Sequence, residues 1–318
     1  MRASPFAPTA MLPATLSPKG LLAKTGFADA EYISCVIPEL PSMVHAIHAG
    51  QHDAPLLWRQ LRAQYPASGH WPLLVWFVGA HQSWEPWREA ALRDVPFLFH
   101  RQEFAHEYEY GRSRAPNDPA QILAHARLAE PRRSIERLNG SADEYPDFWA
   151  DQLDRLRQEY GSAPDELSLI EAMKQQSGPP QLAAYRVLFD WECRQPVRTA
   201  ETGSPFWFDP DHGEHMAVLL IPVADPADIL AYMHWWGSPS IGSPAVIALL
   251  RDWQRQHGAE LMCHYGTMLQ FNVTRPIQDP RVAFDVAVQL ETLGMWNDFR
   301  DTAWALLGAS HWHLHNRP

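Results

Sequence analysis

The sequence predicts an α+β protein in which a ferredoxin-like C-terminal domain with extra helices packs on an N-terminal α/β half. Three observations lead to this prediction. Residues 216–223 (MAVLLIPV) form an apolar run that is typical of a buried strand. Residues 226–236 and 244–257 each begin at a proline that follows Asp or Ser and stop before a glycine, as helices commonly do. Residues 267–274 alternate apolar and polar side chains, which indicates a half-buried strand.

The remaining C-terminal elements complete this pattern. A helix is predicted over 280–293, a last helix near 301–307 and a final strand over 311–315. With a further strand at 260–264, the order becomes β-α-α-β-β-α-α-β. Without the extra helices this is the β-α-β-β-α-β arrangement of ferredoxin-like domains, and the two strands in its middle are expected to pair.

The N-terminal half alternates helices and strands, which favours helices layered on a sheet. A helix is predicted over 54–65, a fully buried strand over 73–78, a short helix over 83–92 and a second strand over 95–99. The strand over 73–78 is apolar at nearly every position, so we expect both of its sides to be buried.

The middle of the chain is polar and helical. Residues 149–160 carry one apolar stripe and end at a glycine, whereas residues 185–191 fit both strand and helix spacing. The Gly-Pro-Pro run at 178–180 is the best candidate linker. We therefore predict two domains, residues 1–178 and residues 179–318.

Composition limits the possible functions. The chain has 318 residues, of which 46% are hydrophobic and 20% charged, and a net charge of −11. This acidity argues against a nucleic-acid surface and favours a basic protein or a small cation as partner. No apolar run approaches the ~20 residues of a membrane span, so a cytoplasmic location is expected. The three isolated cysteines indicate neither a disulfide framework nor a thiolate metal site.

Several short motifs resemble a bacterial family known as domain of unknown function 4253. The similarity is densest between residues 229 and 276 and continues weakly into the N-terminal half. It rests on these matches: Ala231-Tyr232-Met233, Trp236-Gly237, Leu250-Arg251-x-Trp253, His257-Gly258-Ala259-Glu260-Leu261, Phe271-x-Val273-x-Arg275-Pro276, Trp58-x-x-Leu61-Arg62 and Gly69-x-Trp71-Pro72-Leu73-Leu74.

The chain departs from this family at two places. Trp296-Asn297-Asp298 stands where the family often has Cys-Pro-Asp, and the histidine-rich residues 311–315 replace an aromatic, acid-ended tail. The resemblance implies a fold and no catalytic residues.

One loop has the composition of a metal site. Five potential ligands lie within residues 209–215, and oxygen together with imidazole can hold a divalent cation. The alternative is a solvated turn whose Asp and Gly residues serve the backbone. The candidate ligands are Asp209, Asp211, His212 and His215, with Glu214 beside them.

Two histidine-containing stretches are weaker candidates. On a strand, His311, His313 and His315 would share one face, but neighbours on such a face lie about 7 Å apart, too far for all three to reach one ion. The His-x-x-Glu-x-x-His-Glu stretch over residues 100–107 is expected to be a solvated charged helix face.

A tryptophan pair is the best candidate for binding. Trp235 and Trp236 stand at the end of the helix predicted over 226–236, before a loop that contains Ser238. Helix spacing buries Trp236 and turns Trp235 sideways, where an aromatic side chain can anchor a protein partner. Trp296 joins this predicted binding set. The alternative is that Trp235 packs on the N-terminal half.

Three functions remain open. The leading hypothesis is a noncatalytic cytoplasmic binding protein, in its concrete form an immunity protein that neutralises a basic toxin. A metal-dependent hydrolase using the 209–215 loop is the alternative from another class. A small-molecule sensor with its pocket between the two halves is the third. No catalytic residue and no cofactor other than a divalent metal is expected.

Overall fold

The computed structural model describes residues 17–49, 53–76, 83–99, 118–130, 148–175, 180–195, 216–233, 235, 242–294 and 299–316. Within these residues, seven strands form a single mixed sheet. The strands are β1 (Tyr32–Cys35), β2 (Val44–His48), β3 (Trp71–Trp76), β4 (Met216–Ile221), β5 (Ala259–His264), β6 (Met268–Val273) and β7 (His311–His315).

Helices pack on the sheet and on one another, and a 3-10 turn at Pro226–Asp228 precedes α8. None of the described helices has the length and hydrophobicity of a membrane span. They are α1 (Pro18–Leu22), α2 (Ala54–Ser68), α3 (Trp84–Leu98), α4 (Pro119–Ala126), α5 (Phe148–Tyr160), α6 (Glu166–Lys174), α7 (Pro180–Glu192), α8 (Ile229–Tyr232), α9 (Ser243–His257), α10 (Pro280–Gly294) and α11 (Phe299–Leu306).

The strand order is β1-β2-β4-β3-β5-β6-β7. Only β3 and β5 run parallel; every other neighbouring pair is antiparallel. The N-terminal strand β3 thus lies between two strands of the C-terminal part. Both predicted domains therefore contribute to one sheet, and the predicted boundary at residue 178 does not separate two sheets.

The α+β class is confirmed, but the ferredoxin-like arrangement is not. That arrangement makes the first and third strands of the unit central neighbours, which here would be β4 and β6. Instead β4 pairs with β2 and β3, while β5, β6 and β7 follow one another as an antiparallel meander. The predicted pairing of the two middle strands is confirmed, with a bulge between Leu261 and Cys263.

Strand β3 occupies the centre because it can be buried on both sides. Leu73, Leu74 and Val75 are fully buried, as the continuous apolar run predicts. The indole of Trp71 crosses to the next strand, donating its Nε1 hydrogen to the carbonyl of Leu261 at 2.8 Å. On α2, Trp58 donates to the carbonyl of Pro72 at 2.8 Å and packs edge-on against Trp71.

The strand predicted over 95–99 is wrong, because α3 continues to Leu98. Trp87, Ala91 and Val95 recur at i, i+4 and i+8 and are buried, so the apolar run belongs to the inner stripe of a helix. Trp87 also packs against His48 of β2, with a ring-centroid distance of 4.9 Å.

Helix α9 shows why its glycine stop is required. Its Trp253 packs edge-on against Phe271 and Trp312, 5.5 and 5.8 Å between centroids. Gly258 then ends the helix at φ 59°. A Cβ atom at Gly258 would come within 1.9 Å of the Thr274 hydroxyl, so only glycine fits. The predicted end of this helix is confirmed.

Helices α5, α6 and α7 form a second hydrophobic cluster, called here the α5–α7 cluster. Leucines from all three helices make its core: Leu153, Leu156, Leu169 and Leu188. The helical alternative for residues 185–191 is confirmed, since they lie within α7. The predicted amphipathic helix over 149–160 is likewise present as α5.

A buried ion pair joins this cluster to the C-terminal helices. Arg300 of α11 donates to Glu192 of α7 and to Gln152 of α5, both at 2.5 Å. The second carboxylate oxygen of Glu192 accepts from the indole of Trp304 at 2.7 Å. Arg300 and Glu192 are almost fully buried, so each charge depends on the other for compensation.

We expect Glu192→Gln to lower the free energy of unfolding by about 3–5 kcal/mol, because it removes the negative charge that faces the buried guanidinium of Arg300. Urea unfolding of the full chain measures this. Asp285→Asn is the matched control. It removes the partner of Arg186 at a side chain that is 58% exposed, and should change stability by less than about 0.5 kcal/mol. Equal losses in both variants would contradict the buried-charge account.

Candidate functional site

Trp235 does not turn sideways at the surface as predicted. Its side chain is 1% exposed, and its indole donates to the carbonyl of Thr267, in the β5–β6 turn, at 3.1 Å. The reason is that α8 ends early: the backbone leaves helical geometry at Met233, with φ −103° and ψ 123°. The helix predicted over 226–236 is therefore too long. The alternative prediction placed Trp235 against the N-terminal half; the side chain is packed, but its hydrogen bond is to Thr267 in the C-terminal part.

The other predicted site residues lie outside the described residues and remain predictions. The same holds for the charged stretch over residues 100–107. The residues concerned are Trp236, Ser238 and Trp296 of the binding set and Asp209, Asp211, His212 and His215 of the metal loop.

The three histidines of β7 share one face of the sheet, as predicted. Trp312 and Leu314 point to the opposite, apolar face and are buried. The rings of His313 and His315 lie 6.1 Å apart between centroids. Among the described residues, no group of three or more His, Cys, Asp or Glu side chains has the geometry of a metal site.

These histidines belong to a larger polar layer, called here the polar sheet face. Cross-strand pairing places Glu260 beside Asn272 and Asn272 beside His311. At the next position on the same face, Gln270 of β6 is paired in register with His313 of β7. The members of the polar sheet face are Glu260, Gln270, Asn272, His311, His313 and His315.

Part of the polar sheet face is buried, which its sequence pattern did not predict. Alternation in β6 indicates one apolar side and one solvated side, yet Gln270 is only 3% exposed. Helix α2 covers one end: Arg62 donates to Glu260 from Nε at 2.8 Å and through a second contact from Nη2. The guanidinium of Arg62 also lies 5.1 Å above the ring of Trp71. N-terminal and C-terminal residues therefore meet at this layer.

Burial shifts the acid–base behaviour of this layer. Burial and the neighbouring His315 lower the pKa of His313 to about 4, and burial with the nearby Arg59 lowers the pKa of His311. Cys263, on β5, donates to the amide oxygen of Gln270 at 3.4 Å. Burial raises the pKa of Cys263 to about 12. Near neutral pH the layer thus offers neutral imidazoles and a protonated thiol, which suit hydrogen bonding better than nucleophilic attack.

A second titratable cluster surrounds Arg251 of α9. Its Nε donates to Asp225 at 3.2 Å and its Nη2 to Asp228 at 2.5 Å. Burial and the charge of Asp225 raise the pKa of Asp228 to about 6, against the opposing effect of Arg251. Asp225 also accepts from the backbone of Ala227 at 2.9 Å. These contacts fix the turn after β4 on α9, so the cluster has a structural purpose.

A small cleft lies between the end of α7 and the start of α10. Its volume is about 330 Å³, and it is open to solvent with acidic and basic side chains on its walls. It does not reach the polar sheet face. Its lining residues are Asp190, Cys193, Arg194, Asp279, Pro280 and Arg281.

Fold and site together define a mixed α+β protein with a seven-stranded sheet and a partly buried polar layer on one side. Residues 217–315, from β4 to β7, match the model of a family described as domain of unknown function (DUF4253). This confirms the family resemblance for the C-terminal stretch, residues 217–315. The match spans less than half of the chain. No curated protein and no solved structure matches this chain.

Trp235→Ala should lower the free energy of unfolding by about 3–5 kcal/mol, because it empties a buried indole site. Trp235→Phe keeps most of the ring but loses the bond to Thr267, and about 1 kcal/mol is expected. Chemical denaturation compares both with Leu128→Ala, a truncation at an exposed position. An unchanged Trp235→Ala variant would contradict the buried placement and restore the surface prediction.

His313 should make stability depend on pH. Its folded pKa of about 4 lies below the ordinary value of 6.5, so the unfolded chain binds the proton more readily between these values. Stability is therefore expected to fall as pH drops from 6.5 towards 4, by on the order of 2 kcal/mol from this residue.

Unfolding of the His313→Gln variant, followed across this pH range, measures that contribution. The variant should lose part of the pH dependence, whereas His125→Gln, at an exposed position of α4, should keep all of it. Identical pH profiles for His313→Gln and the unsubstituted protein would show that burial of His313 has no such effect.

Proposed function

We propose that this chain is a noncatalytic binding protein whose partner is a basic protein. Protection of a cell against a basic toxin is the concrete form of this role. The observation that carries the proposal is a surplus of exposed carboxylates that form no ion pair within the described part of the chain.

The surplus lies in the described part of the chain. This part has twenty-five carboxylate side chains and seventeen basic ones. Many of the carboxylates form ion pairs, such as Asp154 with Arg157 and Asp252 with Arg255. Several exposed carboxylates form no ion pair with the described residues: Asp29, Glu39, Asp53, Glu89, Asp151, Glu166 and Glu171.

Unpaired surface carboxylates are suited to attracting a basic protein. Such charges contribute little to the stability of the fold, but they create a negative potential that speeds encounter with a positively charged surface.

The protonation state of the cysteines agrees with a binding function that needs no nucleophile. Burial raises the pKa of all three thiols: that of Cys193 to about 11, that of Cys263 to about 12, and that of Cys35 above its ordinary value. The thiols therefore stay protonated near neutral pH.

Association kinetics test the proposal, with the product of the neighbouring gene as the probe. Between about 0.01 and 1 M salt the screening length falls from ~30 to ~3 Å. The association rate should fall at least tenfold over this range, while the dissociation rate changes much less. Co-expression of the chain should also restore growth of cells that produce the probe.

Two results would count against the proposal. An association rate that does not respond to salt removes the electrostatic argument, and no binding at all removes the partner class. An acidic protein of similar size serves as the control probe and should not bind.

A further inference from the structure

Helix α6 displays apolar side chains on the outside of the α5–α7 cluster. Leu167 is 79% exposed and Ile170 is 39% exposed, one turn apart on the same helix. Leu169, between them in sequence, points inward and is buried in the core of the cluster. The outward leucine and isoleucine are therefore adjacent on a helix whose inner side is already packed.

The helix holds these side chains in a defined place. Asp165 caps its first turn, with the carboxylate accepting from the backbone of Ser168 at 2.9 Å. These hydrogen bonds lower the pKa of Asp165. The cap and the buried Leu169 fix both the start and the rotation of α6, so its apolar surface is preformed.

The surroundings of the apolar pair are acidic. Glu166 and Glu171 flank it, and both are exposed and form no ion pair with any residue that the structure describes. Across residues 148–175, six carboxylates stand against three basic side chains. An apolar centre with a negative border is complementary to an apolar stripe with a positive border.

We propose that α6 is a docking surface for an amphipathic basic helix of the partner protein, centred on Leu167 and Ile170. This inference rests on the binding function proposed above and names the surface and the partner class. Backbone groups inside a helix are already hydrogen-bonded, so a strand cannot add to α6 and the partner must contact side chains. A pair at i and i+3 forms a short ridge, which fits the groove between side chains of another helix.

Leu92 on α3 lacks this complementarity. It is 44% exposed, but charges of both signs border it: Arg93 is paired with Asp94 at 2.7 Å, and Arg88 and Glu89 lie one turn before it. Leu92 is therefore a matched control: an exposed leucine on a helix of the same chain, with basic as well as acidic side chains around it.

A synthetic peptide tests the surface in the full-length chain. The probe is a helical peptide of about 18 residues, roughly five turns, with leucines along one face and lysines elsewhere. A second peptide has the same composition with its leucines scattered. Calorimetry should show binding of the first peptide and much weaker binding of the second, because only the first has an apolar face.

Substitutions then locate the contact. Leu167→Ala combined with Ile170→Ala should weaken binding about tenfold or more, as truncation of central interface residues commonly does. Leu92→Ala should leave it unchanged. Glu166→Gln combined with Glu171→Gln should slow association and flatten its salt dependence. Thermal unfolding checks that the exposed substitutions keep the fold, and hydrogen exchange of residues 166–174 should slow when the peptide binds.

The outcomes separate this inference from the function on which it rests. Undiminished binding in the Leu167 and Ile170 double variant, or no binding of the amphipathic peptide, overturns the docking surface. If the chain still binds a folded basic protein in a salt-dependent manner, the binding function stands and only the α6 surface is wrong. If neither probe binds, both proposals are wrong.

Discussion

The position of β3 between β4 and β5 is the constraint on which the rest of the structure depends. A strand buried on both sides needs neighbours along both edges and helices over both faces. The edges come from β4, which pairs with β3 along its whole length, and from β5. Tryptophan side chains reinforce the arrangement, because the indoles of Trp58 and Trp71 satisfy backbone carbonyls where the sheet meets α2. Distant parts of the chain must therefore come together before the centre of the sheet is complete.

The periphery is joined to this centre by charge as well as by packing. Arg300 and Glu192 connect α11 to α7 inside the protein, and Arg155 of α5 binds Asp301 at 2.6 and 2.7 Å nearer the surface. Breaking a buried pair is costly, whereas an exposed pair adds little. The inner pair thus fixes the orientation of the α5–α7 cluster, and with it the direction in which α6 presents Leu167.

The sequence predicted the local elements well, because local periodicity encodes them. The stripes of α2, α9 and α10 and the alternation in β6 and β7 require no knowledge of distant residues. The order of the strands is a different matter, since nothing in the apolar run at β3 specifies β4 and β5 as its neighbours. The run at 95–99 was ambiguous for a related reason: four or five apolar residues fit a buried strand or the inner side of a helix equally well.

The candidate sites were harder to predict. The helix ends before Met233, where the sequence has neither proline nor glycine to indicate an end. The burial of Trp235 that follows from this early end could therefore not be predicted. Alternation in β6 suggested a solvated side, and only the tertiary structure shows that part of the polar sheet face is buried. In α6, leucines on both the inner and outer sides gave no simple stripe. Only the packing of Leu169 in the α5–α7 cluster decides which side of α6 faces inward, and it leaves Leu167 on the outside.

The residues that match the family model do not include the central strand of their own sheet. The matched residues run from β4 to β7 and leave out β3, which stands between two of their strands. Without the N-terminal part, this segment would lose both β2 and β3, the two strands that pair with β4. Strand β4 would then have no neighbouring strand, while β5, β6 and β7 would remain a separate antiparallel group. One continuous sheet in the matched segment therefore requires strands from outside it.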